Sequence, residues 1–320
     1  MAPRRRFGRK IFKALLPITL LLVVAVLSVM AWVVHSATHP PRRAYLITPE
    51  KFRQLSNRGV KATDETWDNR DGTRARGWLL RGSEGAPAVV MLHRFGSDRS
   101  WLFNLGVKLN ETTNVTILWP DLRGHGEDPP ITFSAFGARE ADDVLSAIDY
   151  LRSLRMAQEQ PLVGNKIGLY GVEMGAYAAL VATTSDPTVR ALVLDSVPSS
   201  ADELLNAAVK SRTGLDNFLI NLLARGGTRI YFLGNYKNTP SCAAARSLAD
   251  IKVLLLTGEE AGYLRDMTIG LAKCFPNPAN VEIKSDLPLT GINAGSAPGQ
   301  QGEAYDRHII DFFDRTLLQQ

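Results

Sequence analysis

The chain has 320 residues, of which 45% are apolar, enough to bury one sizeable core with room for a small second unit. Its formal charge of +5 does not point to nucleic acid. Arg4, Arg5, Arg6, Arg9, Lys10 and Lys13 carry six positive charges within the first thirteen residues, and the rest of the chain is close to neutral.

Residues 14–34 then run for 21 residues without a charge (ALLPITLLLVVAVLSVMAWVV). At a rise of about 1.5 Å per residue, such a helix matches the ~30 Å hydrocarbon core of a bilayer. Trp32 stands where an interfacial aromatic belongs, and the preceding basic cluster favours a cytoplasmic N-terminus with the bulk of the chain across the membrane. A cleaved signal peptide is the competing reading. Its apolar region would be ~7–15 residues and end in a small-x-small site, which Val34-His35-Ser36-Ala37 matches poorly. Length favours the anchor, and the flanking charge disfavours an apolar core helix. The organisation expected is a basic cytoplasmic segment (1–13), a transmembrane anchor (14–34), a Pro- and Arg-bearing stalk (35–46) and one domain (47–320).

Residues 62–67 and 73–81 are strand-like around an Asp71-Gly72 turn signal. An alternation begins after them. Residues 86–93, 115–121, 167–171, 191–196, 252–258 and 281–286 are apolar strand runs. The segments 97–109, 136–154, 174–184, 201–210, 217–223, 264–274 and 303–318 are helical between and after them. Glu140, Asp142 and Asp143 suit the first turns of their helix. Strands apolar on both faces, separated by helices, predict an α/β fold: a mostly parallel sheet with helices on both faces and the two early strands antiparallel at one edge. Cys242 and Cys274 flank the run 253–256 and read equally as a disulfide outside the cytoplasm or as two buried thiols. Asn110-Glu-Thr and Asn114-Val-Thr match the glycosylation pattern, which is common by chance.

The stretch Gly171-Val172-Glu173-Met174-Gly175 joins a short strand to an Ala-rich helix and has the outline of a nucleophile elbow. With His93-Arg94-Phe95-Gly96-Ser97-Asp98, Asp121-Leu122-Arg123-Gly124-His125-Gly126 and the early hairpin, it resembles the α/β-hydrolase superfamily, on the side of bacterial serine peptidases and esterases. The resemblance covers residues 47–318. It implies a pocket between the elbow and an oxyanion loop, with His93, Arg94, Phe95 and Met174 around it. It also implies a nucleophile at the elbow, an acid after the seventh strand and a His before the last helix.

All three catalytic positions depart from that pattern. Glu173 stands at the nucleophile position, Ala261 follows Gly258-Glu259-Glu260 where the acid is expected, and residues 287–302 contain no His. The five histidines are His35, His39, His93, His125 and His308. Asp121 and Arg123 are expected to pair locally, and Glu259 and Glu260 to be solvated. The expectation is a membrane-tethered, catalytically degenerate binding or scaffold module, with a small-molecule or protein ligand that is cationic if Glu173 attracts it. No cofactor, metal or nucleic acid is expected. The alternative is an esterase- or peptidase-like hydrolase built on Glu173 or on an unrecognised site.

Overall fold

A computed structural model describes residues 4–56, 59–156, 159–293 and 299–319. By internal contacts the chain divides into a smaller unit, Met1–Thr38 with Leu205–Asn235, and a larger one, His39–Leu204 with Tyr236–Gln320.

The larger unit holds an eight-stranded sheet. Its strands are β1 (Thr63–Asp68), β2 (Arg74–Leu80), β3 (Ala88–Leu92), β4 (Thr116–Pro120), β5 (Ile167–Val172), β6 (Val189–Asp195), β7 (Lys252–Gly258) and β8 (Val281–Leu287), in the order β1-β2-β4-β3-β5-β6-β7-β8. β2 pairs antiparallel with β1 and with β4, and every other neighbour is parallel. The apolar runs are central because only there are both faces covered: β3, β4 and β5 are buried at every residue, whereas β8, at the edge, is mostly exposed. Met91, Phe103, Trp119, Tyr170, Phe312 and Phe313 belong to one core. Trp119 satisfies its indole N–H on the Leu102 carbonyl at 3.0 Å, as a buried Trp requires.

The helices are α1 (Arg4–Thr38), α2 (Pro49–Ser56), α3 (Phe103–Thr113), α4 (Glu140–Ser153), α5 (Met174–Thr183), α6 (Ala201–Thr213), α7 (Phe218–Tyr231), α8 (Ser241–Arg246), α9 (Leu264–Ala272) and α10 (Gln300–Phe313). α5 is buried on all sides, which its Ala-rich sequence permits because small side chains let strands and helices approach closely. α10 is tied to α3 by Lys108, whose ammonium meets Asp306 at 2.6 Å and Glu303 at 2.8 Å.

Several boundaries differ from expectation, each for a local reason. The helix expected at 136–154 starts only at Glu140, because Phe136 and Gly137 take positive φ (57° and 93°) and cannot be helical. The segment 97–109 splits into a 3₁₀ turn capped by the Asp98 carboxylate and then α3. α7 runs on past Leu223 to Tyr231, through Gly226-Gly227. The short helices α2 and α8 carry too few periodic residues to be seen. Cys242 of α8 and Cys274 after α9 form a disulfide, with Cα atoms 5.2 Å apart. Asn110 of the first glycosylation pattern uses its amide to hold the Val115 carbonyl at 2.7 Å.

In the smaller unit α1 continues past Val34 to Thr38, so the expected stalk begins later than its sequence suggests. Its segment Lys13–Thr38 is long and apolar enough to cross a membrane, a property that a signal sequence shares.

Candidate functional site at the end of β5

The turn from β5 into α5 is built around two glycines. A Cβ on Gly171 would lie 2.4 Å from the backbone of Gly175, and one on Gly175 would lie 2.3 Å from the Leu92 carbonyl oxygen. Strand, turn and neighbouring loop therefore touch backbone to backbone. Between them Glu173 takes φ 51° and ψ −107°, a strained conformation for a residue with a side chain. Its N–H donates to the Asp195 carbonyl at 2.9 Å and its carbonyl accepts from Tyr177 N–H at 3.0 Å, which pins the turn at both ends. The elbow geometry is thus complete, with a carboxylate on it.

Among the described residues that carboxylate has one hydrogen bond: its Oε2 accepts from the Phe95 N–H at 3.1 Å. Burial pushes it up to about 7, against the positive charge of Arg94 and the Phe95 bond, which both pull it down. Phe95 belongs to the loop after β3, so a backbone donor of the expected oxyanion loop is taken by the protein's own side chain. Arg94 is half-buried, its guanidinium 5.3 Å above the Trp101 ring, and its Nε has no partner among the described residues. With Arg94 alongside, Glu173 already has a neighbouring cation, which weakens the expectation of a cationic ligand. Met174, the first residue of α5, is buried with its sulfur 3.4 Å from Ser134 Oγ. The Tyr263 phenol is pushed up by burial and by the negative charges of Glu173 and Glu203.

The two histidines of the neighbouring loops are engaged on both ring nitrogens. His93 Nδ1–H donates to the Arg94 carbonyl at 2.8 Å and Nε2 accepts from Leu122 N–H at 3.1 Å. His125 Nδ1–H donates to the Arg123 carbonyl at 2.8 Å and Nε2 accepts from Gly96 N–H at 3.0 Å. The rings meet edge to face, with centroids 5.0 Å apart. Burial lowers His93 to about 4; burial and then the His93 charge lower His125 to about 3. They stitch the loops after β3 and β4 together as neutral rings, and neither carries a proton for Glu173. His93 sits at the site as a backbone brace.

The loop after β4 corrects two expectations. Asp121 does not pair with Arg123. It accepts from Tyr45 Oη at 2.6 Å and Arg99 N–H at 3.1 Å, and it faces the guanidinium groups of Arg76 and Arg99. Arg123 instead pairs with Asp143, its Nε donating to Oδ2 at 2.8 Å, and with Asp71 at 3.2 Å. Glu140 and Asp143 are therefore more than helix-start charges. Glu140 is buried and accepts from Ser134 Oγ, Ala135 N–H and Gly137 N–H at 2.7–2.8 Å, fixing the turn before α4.

At the expected acid position, Glu259–Ala261 forms a 3₁₀ turn with Ala261 buried and the two glutamates exposed. Glu260 accepts from Asn293 Nδ2 at 2.8 Å, so it is not simply solvated. Of the stretch 287–302, residues 294–298 lie outside the described ones. Gly291, within it, donates its N–H to Asp195 Oδ2 at 2.8 Å. Asp195, at the end of β6, was missed by sequence reasoning. Its carboxylate also accepts from Tyr305 Oη and from Ser196 Oγ at 2.6 Å, and Tyr305 meets Tyr170 Oη at 2.8 Å. Burial pushes Asp195 up to about 6, against those hydrogen bonds. An Asp ending an apolar strand next to the elbow strand was the available signal. Among the described residues no imidazole contacts either carboxylate, and His308 lines a cavity of about 390 Å³ with Glu282, Lys284 and Asp311 at the α10–β8 edge. The arrangement can hold or exchange one proton at Glu173, with no relay behind it among the described residues.

No protein-family model matches the chain. Among curated proteins it is 27% identical over 124 residues to thiohydrolase aneE of Aspergillus aculeatus, covering 38% of this chain and 37% of that protein. It is 30% identical over 148 residues to thiohydrolase apmlB of Arthrinium phaeospermum, covering 46% of each. The chain thus matches less than half the length of these relatives. Among solved structures, the Pyrococcus furiosus esterase Pf2001 superposes with a TM-score of 0.63 at 17% identity, over 88% of this chain and 98% of that one. The α/β hydrolase GrgF of Penicillium does so with 0.57 at 18%, over 81% and 99%. The chain has the α/β-hydrolase fold.

Proposed function

We propose that this protein is a membrane-anchored α/β-hydrolase-fold module whose catalytic centre is degenerate and which works by binding a small-molecule or protein ligand. One observation carries the reading: the side chain at the strained elbow is a carboxylate, held by the backbone donor of the oxyanion loop and served by no imidazole among the described residues. A serine hydrolase needs an imidazole or an equivalent acceptor for the nucleophile's proton, and among the described residues none stands beside the elbow side chain. The purified protein is expected not to react with fluorophosphonate probes and to hydrolyse p-nitrophenyl esters and thioesters no faster than its Glu173→Gln variant. A rate that collapses in Glu173→Gln overturns the reading.

That outcome would favour the second reading, a hydrolase that uses Glu173 as base. Two observations speak for it: a carboxyl raised to about 7 is poised for proton transfer near neutral pH, and the matched relatives are named as thiohydrolases. Its signature is activity that rises with pH around 7 and vanishes with Glu173→Gln.

For the anchor, the basic cluster before the uncharged stretch and the Cys242–Cys274 disulfide both support a domain outside the cytoplasm. A reporter fused after Gln320 is expected to be active only beyond the membrane. Cytoplasmic activity reverses the orientation, and a soluble product lacking α1 identifies a signal peptide instead.

A further inference from the structure

The smaller unit pairs α1 with an amphipathic helix that leaves its apolar face uncovered. Asn217 caps α7 by accepting from Ile220 N–H at 3.0 Å. Along α7, Phe218, Leu219, Leu222 and Ile230 fall within about a third of the helix circumference at 3.6 residues per turn. They are not core residues: Phe218 is 77%, Leu219 66%, Leu222 54% and Ile230 64% exposed, and Leu233 just beyond the helix is 86% exposed. A stripe of large apolar side chains this open is costly in water and marks a contact surface.

What covers it is indicated by the helix beside it. Gly227, on another side of α7, lies against Met30 and Val34 of α1 so closely that a Cβ there would come within 2.6–2.7 Å of both side chains. Arg212 of α6 donates from Nε to the Ser36 carbonyl at 3.3 Å. Met30 and Val34 are in the last turns of the uncharged stretch 14–34, level with the exposed interfacial Trp32. α7 is therefore held at the end of the apolar span, the depth at which acyl chains meet headgroups. Arg225 lies at the edge of its apolar stripe, with its Nε donating to Asn206 Oδ1 at 3.3 Å, and Arg229 lies within the stripe, with its Nη1 donating to the Arg225 carbonyl at 3.0 Å. Basic groups thus accompany the stripe as they do in interfacial helices.

We propose that α7 lies in the membrane interface with Phe218, Leu219, Leu222, Ile230 and Leu233 inserted among the acyl chains of the bilayer that α1 crosses. The smaller unit is then a two-part membrane element, one helix spanning and one lying in the surface. This rests on the reading of α1 as an uncleaved anchor.

The test uses the full-length protein reconstituted in phosphatidylcholine–phosphatidylglycerol vesicles, with a nitroxide at Leu222→Cys or Leu219→Cys and, as references, at Leu21→Cys on α1 and Leu55→Cys on α2. Exposure of each label to dissolved oxygen and to a water-soluble nickel chelate is read by power-saturation electron paramagnetic resonance. The expected result is oxygen-rich, chelate-poor labels at 21, 219 and 222 and a chelate-rich label at 55. Chelate-rich labels at 219 and 222 with a lipid-buried label at 21 overturn the inference and leave the anchor standing. Labels at 219 and 222 shielded from both reagents overturn it in favour of a protein contact. A chelate-rich label at 21 overturns the anchor, and the inference with it.

Discussion

The loops after β4 and β5 both carry buried charge, but they hold it in opposite ways. In the first, Asp121 and Arg123 each meet several partners from other elements, and the neutral His125 ties the loop to Gly96. In the second, Glu173 has one backbone donor and a neighbouring guanidinium, and it sits in a backbone conformation that few residues tolerate. A buried network whose carboxylates are each multiply partnered rigidifies a fold, whereas an under-partnered carboxylate at a strained turn is stability given up. The contrast separates the part of the hydrolase frame that this chain uses to fold from the part it would use to act.

The largest effect expected from that contrast lies in the first loop. Arg123→Ala leaves Asp143 buried without its partner, and breaking such a pair costs about 3–5 kcal/mol. Denaturant unfolding should show the loss. A loss below about 1 kcal/mol, the range of an exposed ion pair, would mean that the loop after β4 is held no better than the elbow, and the comparison would fail.

Next comes the frame of the elbow, as distinct from its side chain. Gly175→Ala places a Cβ against the Leu92 carbonyl, a backbone atom that cannot swing away. Overpacking of this kind costs about 1–3 kcal/mol. Thermal unfolding of Gly175→Ala beside a Gly226→Ala control, where a Cβ meets nothing within 4 Å, isolates the effect. Equal melting temperatures would show that the elbow frame is no longer under constraint.

These two regions also mark where sequence reasoning reached and where it stopped. The sheet, its antiparallel edge and the elbow were legible because apolar strand runs and paired glycines are local signals. The partners of Arg123 were not, because Asp71 and Asp143 lie 52 and 20 residues away and charge at a helix start has a simpler local explanation. Asp195 was hidden for a related reason. It ends a strand with no motif around it, and only the fold brings Gly291 and Tyr305, 96 and 110 residues on, to its carboxylate. Glu173 was legible as an anomaly; its partner, Phe95 N–H, was not.

The last effect vanishes at low pH and grows as pH rises. Glu173 ionises near its ordinary value of 4.5 in the unfolded chain and at about 7 in the fold. Its contribution to stability is therefore fully present below about 4.5 and is lost as pH rises through about 7. Glu173→Gln keeps the neutral shape at every pH, so the variant should equal the wild type at about pH 4.5 and exceed it by about 1–3 kcal/mol at about pH 8. His93 and His125 act in the opposite direction. Their depressed values of about 4 and about 3 make stability rise with pH up to their ordinary value of 6.5. Both proteins share that rise, so it cancels in the difference between their melting curves. A difference that is flat from about pH 4.5 to about pH 8 would mean that the Phe95 N–H and Arg94 satisfy the carboxylate as fully as the neighbouring loop satisfies Asp121. The elbow would then be a structural ion site, and the distinction between the two loops would dissolve.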